Sequence, residues 1–120
     1  VMGQGAFSLL VKKNPAITRP TVEDFLDHID YVANLVGIDH IGLGLDIAED
    51  RPMELWERRM RTDPELREGM TLETWVTQGI DSVRKLTNVT SGLVARGYSD
   101  QEIMKILGEN FLRLFDRVWK

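Results

Sequence analysis

Asp46 is the sharpest chemical feature of the chain. It follows Ile41-Gly42-Leu43-Gly44-Leu45, a β-compatible stretch interleaved with glycines. Catalytic and ligand-binding groups of parallel α/β sheets gather where the strands end, and a carboxylate there can accept and return a proton. The same residue can also serve as a simple cap of the turn that follows, which aspartate does well. The only two histidines are His28, beside Asp27 and Asp30 on a helical stretch, and His40, at the start of the strand that Asp46 closes. A strand rises about 3.3 Å per residue, so six residues set His40 and Asp46 about 20 Å apart, too far to share a metal. Both histidines read as surface or turn residues with local hydrogen bonds. Glu49, Asp50, Glu54 and Glu57 form an acidic cluster, which reads as solvated surface or, as the minor alternative, a substrate-side loop. No phosphate loop, cysteine-rich metal site or nucleophile elbow occurs.

The elements that must carry these residues follow from pattern. Residues 1–10 are apolar with two glycines and predict a short buried strand and a loop, and the two prolines of Lys12–Pro20 extend that loop. Thr21–Val36 is the clearest helix. Thr21 caps it, Asp24 completes a near capping box, and Val22, Phe25, Leu26, Ile29, Val32, Ala33 and Val36 form one stripe, closed by Gly37. Ile38–Leu45 then reads as a second strand, whose Gly42 and Gly44 imply close approach of another backbone. Strand, helix and strand make a parallel βαβ unit, and two parallel strands are too few to be covered on both faces.

Ile47–Gly69 is polar, with a short helix expected over Met53–Met60. Leu72–Gln78 reads as helical and Gly79–Lys85 is left open. Asn88–Arg96 predicts a helix closed by Gly97. Ser99-Asp100-Gln101-Glu102 is a capping box whose helix should stop at Gly108, and a last helix starts near Glu109 or Asn110 and carries Phe111, Leu112, Leu114, Phe115, Val118 and Trp119.

Composition narrows the partners. The 120 residues are 42% hydrophobic and 28% charged, ordinary for a globular chain, with a net charge of −4 and no basic stripe. Nucleic acid and anionic membrane surfaces are therefore not expected partners. No apolar run approaches the ~20 residues of a membrane span. There is no cysteine, so any metal must rest on histidines and carboxylates, and a reducing, cytoplasmic location is expected. The opening Val1-Met2-Gly3-Gln4-Gly5-Ala6-Phe7 reads like the middle of a protein.

Two blocks add a resemblance. Thr21-Val22-Glu23-Asp24-Phe25-Leu26-Asp27-His28-Ile29-Asp30, continuing through Leu35-Val36-Gly37-Ile38-Asp39-His40-Ile41-Gly42-Leu43-Gly44-Leu45-Asp46, resembles the membrane (renal) dipeptidase family. The tail from Leu93-Val94-Ala95-Arg96-Gly97-Tyr98-Ser99-Asp100 to Glu109-Asn110-Phe111-Leu112-Arg113-Leu114-Phe115 resembles it in the same order. The resemblance implies an α/β fold in which residues 1–120 are the C-terminal part of one (β/α)₈ TIM-barrel metallohydrolase domain, its last two parallel strands plus C-terminal helices. It implies two zinc ions, held by histidines and acids of earlier strands absent here, that activate a water to cleave a dipeptide. Asp46 would be the catalytic aspartate of the eighth strand, handling the proton of that water. Gln4 and Phe7 would lie at the substrate pocket, and no metal ligand carries over, His28 and His40 included. Where the family often has a second aspartate two residues on, followed by glycine, this chain has Ala48, then Glu49 and Asp50. A different small amide, or a dipeptide with a D-residue, therefore stays open as substrate.

These readings predict a metallo-dipeptidase of which this chain, alone, would be inactive. The alternative is a non-catalytic fragment or self-associating module. In either case the exposed strand edges and apolar faces lead us to expect a homo-oligomer. A regulator binding metal through His28 with Asp27 or Asp30 is the least favoured reading.

Overall fold

The computed structural model describes residues 1–50, 52–63 and 70–119, so Arg51 and the Pro64–Gly69 part of the polar stretch lie outside the described residues. Strand β1 (Met2–Gln4) and strand β2 (Ile41–Leu43) pair in parallel, with Met2 opposite Ile41, Gly3 opposite Gly42 and Gln4 opposite Leu43. Parallel neighbours need a long crossover, and here it holds helix α1 (Ser8–Val11) and helix α2 (Val22–Val36). The expected loop after β1 thus contains one helical turn.

Helix α2 follows its sequence pattern closely. The Thr21 amide donates to Asp24 Oδ2 at 2.8 Å and the Asp24 amide to Thr21 Oγ1 at 3.5 Å, a complete capping box. Phe25, Leu26, Ile29 and Val32 are buried, while Val36 at the end of the stripe is exposed. Gly37, at φ 92°, supplies the left-handed residue that ends the helix.

Strand β2 is shorter than the Ile38–Leu45 expected. Residues Ile38–His40 form a 3₁₀ turn in which the His40 amide donates to the Gly37 carbonyl at 3.1 Å, and only then does pairing begin. Gly44, just after β2, acts as expected, since a Cβ there would lie 3.1 Å from the Gly3 Cα; Gly42 differs, since a Cβ there would lie 2.6 Å from the Phe111 ring rather than from a backbone. Gly44 admits a backbone, and Gly42 a ring from the last helix.

Helix α3 (Met53–Thr62) and helix α4 (Leu72–Trp75) follow. The helix expected over Leu72–Gln78 stops at Trp75, because the next residues take long-range backbone partners. The Thr77 amide donates to the Ala6 carbonyl at 2.9 Å and the Gln78 amide to the Pro20 carbonyl at 2.8 Å. Tertiary pairing overrides helical periodicity here. The open stretch contains a 3₁₀ turn at Val83–Lys85. Helix α5 (Thr87–Ala95) packs on α2, bringing Val89 and Leu93 to the core beside Leu26 and Ile29.

Helix α6 (Asp100–Met104) has the Ser99–Glu102 capping box, and the helical path breaks at Gly108 as expected. A π-turn over Lys105–Glu109 follows, and within it Gly108, at φ 175° and ψ −25°, leaves helical geometry and makes the kink that separates α6 from helix α7 (Asn110–Val118). This turn brings Asn110 into the core, where its Nδ2 donates to the carbonyls of Ile38 and Ile41 at 2.8 Å each. The side chain fastens the start of β2 to α7. Ile103 and Ile106 pack in the same core cluster as Ile41. Arg96, after α5, ties back to α2 through Glu23, Asp27 and Asp30, and the Tyr98 hydroxyl donates to Asp30 at 2.6 Å. Burial and the charge of Asp30 push the Tyr98 hydroxyl well above its ordinary pKa.

Candidate functional site

The parallel pairing sets where the site forms, since both strands point their C-terminal ends the same way. Beyond the strands proper the pairing continues: the Gly44 amide donates to the Gln4 carbonyl at 3.0 Å and the Ala6 amide to the Leu45 carbonyl at 3.1 Å. The next residues are Phe7 on one side and Asp46 on the other. Asp46 is exposed, with φ 53°, in the left-handed region that aspartate tolerates better than most residues. The chain bends away from the strand direction at that carboxylate.

A cavity of about 360 Å³ opens beside it. Asp46, Ile47 and Ala48 form one wall, Leu55, Trp56 and Arg59 of α3 a second, and Arg19, Glu73, Trp75, Val76 and Asp81 the remainder. The segment after α4 holds this arrangement. Ala6 accepts hydrogen bonds from both the Thr77 amide and the Thr77 hydroxyl, each at 2.9 Å, and Thr77 is fully buried. Arg19 donates from Nε and Nη2 to the Val76 carbonyl at 3.1 and 3.0 Å. It pairs more loosely with Asp81 at 3.6 Å and Glu73 at 3.9 Å. Burial pushes the Asp81 carboxyl up, but the hydrogen bonds from Lys85 and the charges of Lys85 and Arg19 outweigh it and leave it below its ordinary value.

Aromatic rings line up across this end of the sheet. Phe7 packs on Trp75 with ring centroids 4.6 Å apart, and Trp75 meets Trp56 edge-on at 4.5 Å. Phe7 therefore stands behind the cavity wall, and Gln4 lies deeper. Gln4 is buried within β1, donating from Nε2 to the Gly5 carbonyl at 3.2 Å. Neither is among the residues lining the cavity beside Asp46. Within the acidic cluster, Glu49 accepts a hydrogen bond from the Val83 amide at 3.1 Å and so anchors the loop after Asp46.

Sequence reasoning did not single out Arg19, Thr77 or the cavity role of Trp56 and Trp75. Pattern can mark a tryptophan as apolar, but not which distant residue it meets.

The histidines do not build a metal centre. His28 Nε2 donates to the Val11 carbonyl at 2.9 Å, which commits that nitrogen, and His40 is exposed in the turn before β2. Among the described residues no three histidine, cysteine, aspartate or glutamate side chains converge so as to hold a metal ion. Among the described residues no helix is long and apolar enough to cross a membrane.

Residues 7–58 match the family described as membrane dipeptidase, peptidase family M19. The chain is 31% identical over 109 residues to the dipeptidase tcpJ of Claviceps purpurea, covering 91% of this chain and 20% of that protein. It is 28% identical over 115 residues to the dipeptidase verJ of Clonostachys rogersoniana, covering 95% of this chain and 24% of that one. The chain thus spans between a fifth and a quarter of these relatives. Among solved structures, an amidohydrolase from Pseudomonas aeruginosa superposes with a TM-score of 0.76 at 30% identity, covering 98% of this chain and 35% of that one.

Proposed function

The chain belongs to the membrane dipeptidase family, and from that premise we propose that it is the C-terminal part of a (β/α)₈ metallo-dipeptidase, with Asp46 as a catalytic carboxylate. The observation that carries this reading is the place of Asp46: directly after Leu45, whose carbonyl accepts from the Ala6 amide just beyond β2, on a cavity at the C-terminal end of two parallel strands. A complete barrel takes about 250 residues, so residues 1–120 would be one part of a larger domain. The zinc ions would be held by other strands of that domain and would supply Lewis acidity and an acidified water.

The chain's own contribution is proton handling. As water oxygen attacks the peptide carbonyl carbon, Asp46 takes the proton that leaves it. As the C–N bond breaks, Asp46 returns that proton to the departing amine nitrogen. The substrate would be a dipeptide or related small amide. A cytoplasmic enzyme fits a chain without cysteine.

The test replaces Asp46 with asparagine in the polypeptide that carries this chain. Asparagine also tolerates the left-handed backbone, so the variant removes charge and basicity with little strain. Dipeptide hydrolysis should fall by roughly 10²- to 10⁴-fold in kcat. Turnover equal to that of the unaltered protein would rule Asp46 out.

A second reading, a self-associating module without hydrolase activity, has its own observation behind it. Each strand has one partner among the described residues, and Met2 and Leu10 beside them are 45% and 64% exposed. Such edges and faces favour a homo-oligomer. A monodisperse monomer by light scattering would remove this reading.

A further inference from the structure

The cavity beside Asp46 has one apolar wall, and its rings are large. Trp56 and Trp75 meet edge-on at 4.5 Å, Leu55 stands beside them, and Phe7 packs behind Trp75 at 4.6 Å. Both tryptophans are only half-buried, and neither belongs to the main core cluster. Both indoles line a cavity of about 360 Å³ and keep part of their surface accessible there. Such a volume is at the small end of ligand pockets and has room for one ring. On the polar side, Arg19 is 17% exposed on its side chain and spends Nε and Nη2 on the Val76 carbonyl. Arg19 therefore holds the pocket's frame, and the apolar wall offers a surface that can select a ligand.

We propose that Trp56 and Trp75 form a subsite for an aromatic side chain of the substrate, so that the Asp46 site favours aromatic dipeptides over alanyl ones. The inference rests on the dipeptidase reading of Asp46 and names the substrate class of that site. Rings prefer edge-to-face or offset contact with other rings, and a third ring against the Trp56–Trp75 pair extends the geometry already present.

The chain carries its own control, because Trp119 lies after α7, 73% exposed and stacked on Phe115, outside the cavity. The ¹⁵N-labelled polypeptide that carries this chain, with Asp46→Asn to stop turnover, is titrated with phenylalanyl-phenylalanine and, separately, with alanyl-alanine, and the indole N–H signals of Trp56, Trp75 and Trp119 are followed by NMR. The aromatic dipeptide should shift the Trp56 and Trp75 signals saturably and leave Trp119 still. Alanyl-alanine should bind at least tenfold more weakly. Trp56→Ala, on the exposed helix α3, should weaken aromatic binding about tenfold. Trp75→Ala should do the same, and if it fails to fold, the α3 variant decides alone. Equal binding of the two dipeptides, Trp119 moving in step, or unaltered binding by Trp56→Ala would each overturn the proposal. Its failure is separable from that of the dipeptidase reading. Hydrolysis abolished by Asp46→Asn with no aromatic preference removes only the subsite. Hydrolysis indifferent to Asp46 removes the reading on which the subsite rests.

Discussion

The amide of Ala6 donates to the carbonyl of Leu45 at 3.1 Å, one residue short of Phe7 and one short of Asp46. That bond carries the parallel pairing two residues past β1 and delivers both side chains at one end of the sheet. The Ala6 carbonyl takes two further bonds from Thr77, so the strand end, the candidate carboxylate and the Trp75 wall share one backbone anchor. The site is built by main chain first, and side chains are hung on it.

The backbone at Asp46 can be tested apart from its chemistry. A left-handed φ of 53° is tolerated by aspartate, asparagine and glycine but strains alanine. Asp46→Ala should lose about 1 kcal/mol of stability, while Asp46→Asn should stay within about 0.5 kcal/mol of the parent. Urea unfolding of the three proteins measures this. Equal losses for both variants would show that φ is not the cause.

Local pattern made part of this architecture legible before any coordinates. The Thr21–Asp24 capping box, the stripe through Phe25, Leu26, Ile29 and Val32, and the glycines of β2 each act on neighbours in sequence or report one face of one element. The features that escaped depend on partners far along the chain. Thr77 ends α4 early because Ala6, 71 residues away, needs its donors. Asn110 is drawn inward across a π-turn because Ile41, 69 residues away, offers a carbonyl. No window of local periodicity contains those distances. Asp46 was visible because a strand end is local, whereas the tryptophans opposite it come from α3 and α4.

Thr77 predicts a coupled loss. Thr77→Val keeps shape and amide but removes the hydroxyl that donates to Ala6 at 2.9 Å. The site is fully buried, so the missing bond should cost about 1 kcal/mol. The Ala6 carbonyl keeps its bond from the Thr77 amide, which caps the loss near that figure. Thermal unfolding reads the stability, and near-ultraviolet circular dichroism should report altered packing of Trp75 on Phe7.

Acid should weaken the fold through its capping boxes. The ammonium of Lys12 at 2.9 Å and the Thr21 amide hold Asp24 below the ordinary carboxylate pKa. The Ser99 amide and hydroxyl, both at 2.8 Å, do the same for Glu102. A carboxyl depressed by folding contributes stability above its unfolded pKa of about 4 and loses it as pH falls through the folded value. The urea midpoint should therefore be lower at pH 3 than at pH 6, and Glu102→Gln should flatten that difference. A midpoint independent of pH over this range would contradict the assignment.

The geometry of the histidines and carboxylates among the described residues predicts weak metal binding. His28 is committed to the Val11 carbonyl, and the described residues bring no three donor side chains together. The purified 120-residue chain, dialysed against micromolar zinc, should carry well under one ion per chain by elemental analysis and hydrolyse no dipeptide. One or more tightly held ions would mean that the chain builds a metal centre of its own.

Asn110 tests what holds β2 in place. Its Nδ2 is the shared donor for the carbonyls of Ile38 and Ile41, at 2.8 Å each, in a fully buried position. Alanine there leaves two carbonyls short of a donor and opens a small void, which should cost about 2–4 kcal/mol. Asn110→Asp is the sharper variant: nearly the same shape, but an ionised carboxylate has no donor and would face two carbonyl oxygens. It should be at least as destabilising as alanine at neutral pH and recover part of the loss on acidification, when a protonated carboxyl can donate one bond. That recovery runs opposite to the acid loss expected of the capping boxes, so the stability difference between parent and variant against pH isolates it. A difference that stays constant from pH 7 to pH 4 would show that size, rather than the donated bonds, makes Asn110 matter at the start of β2.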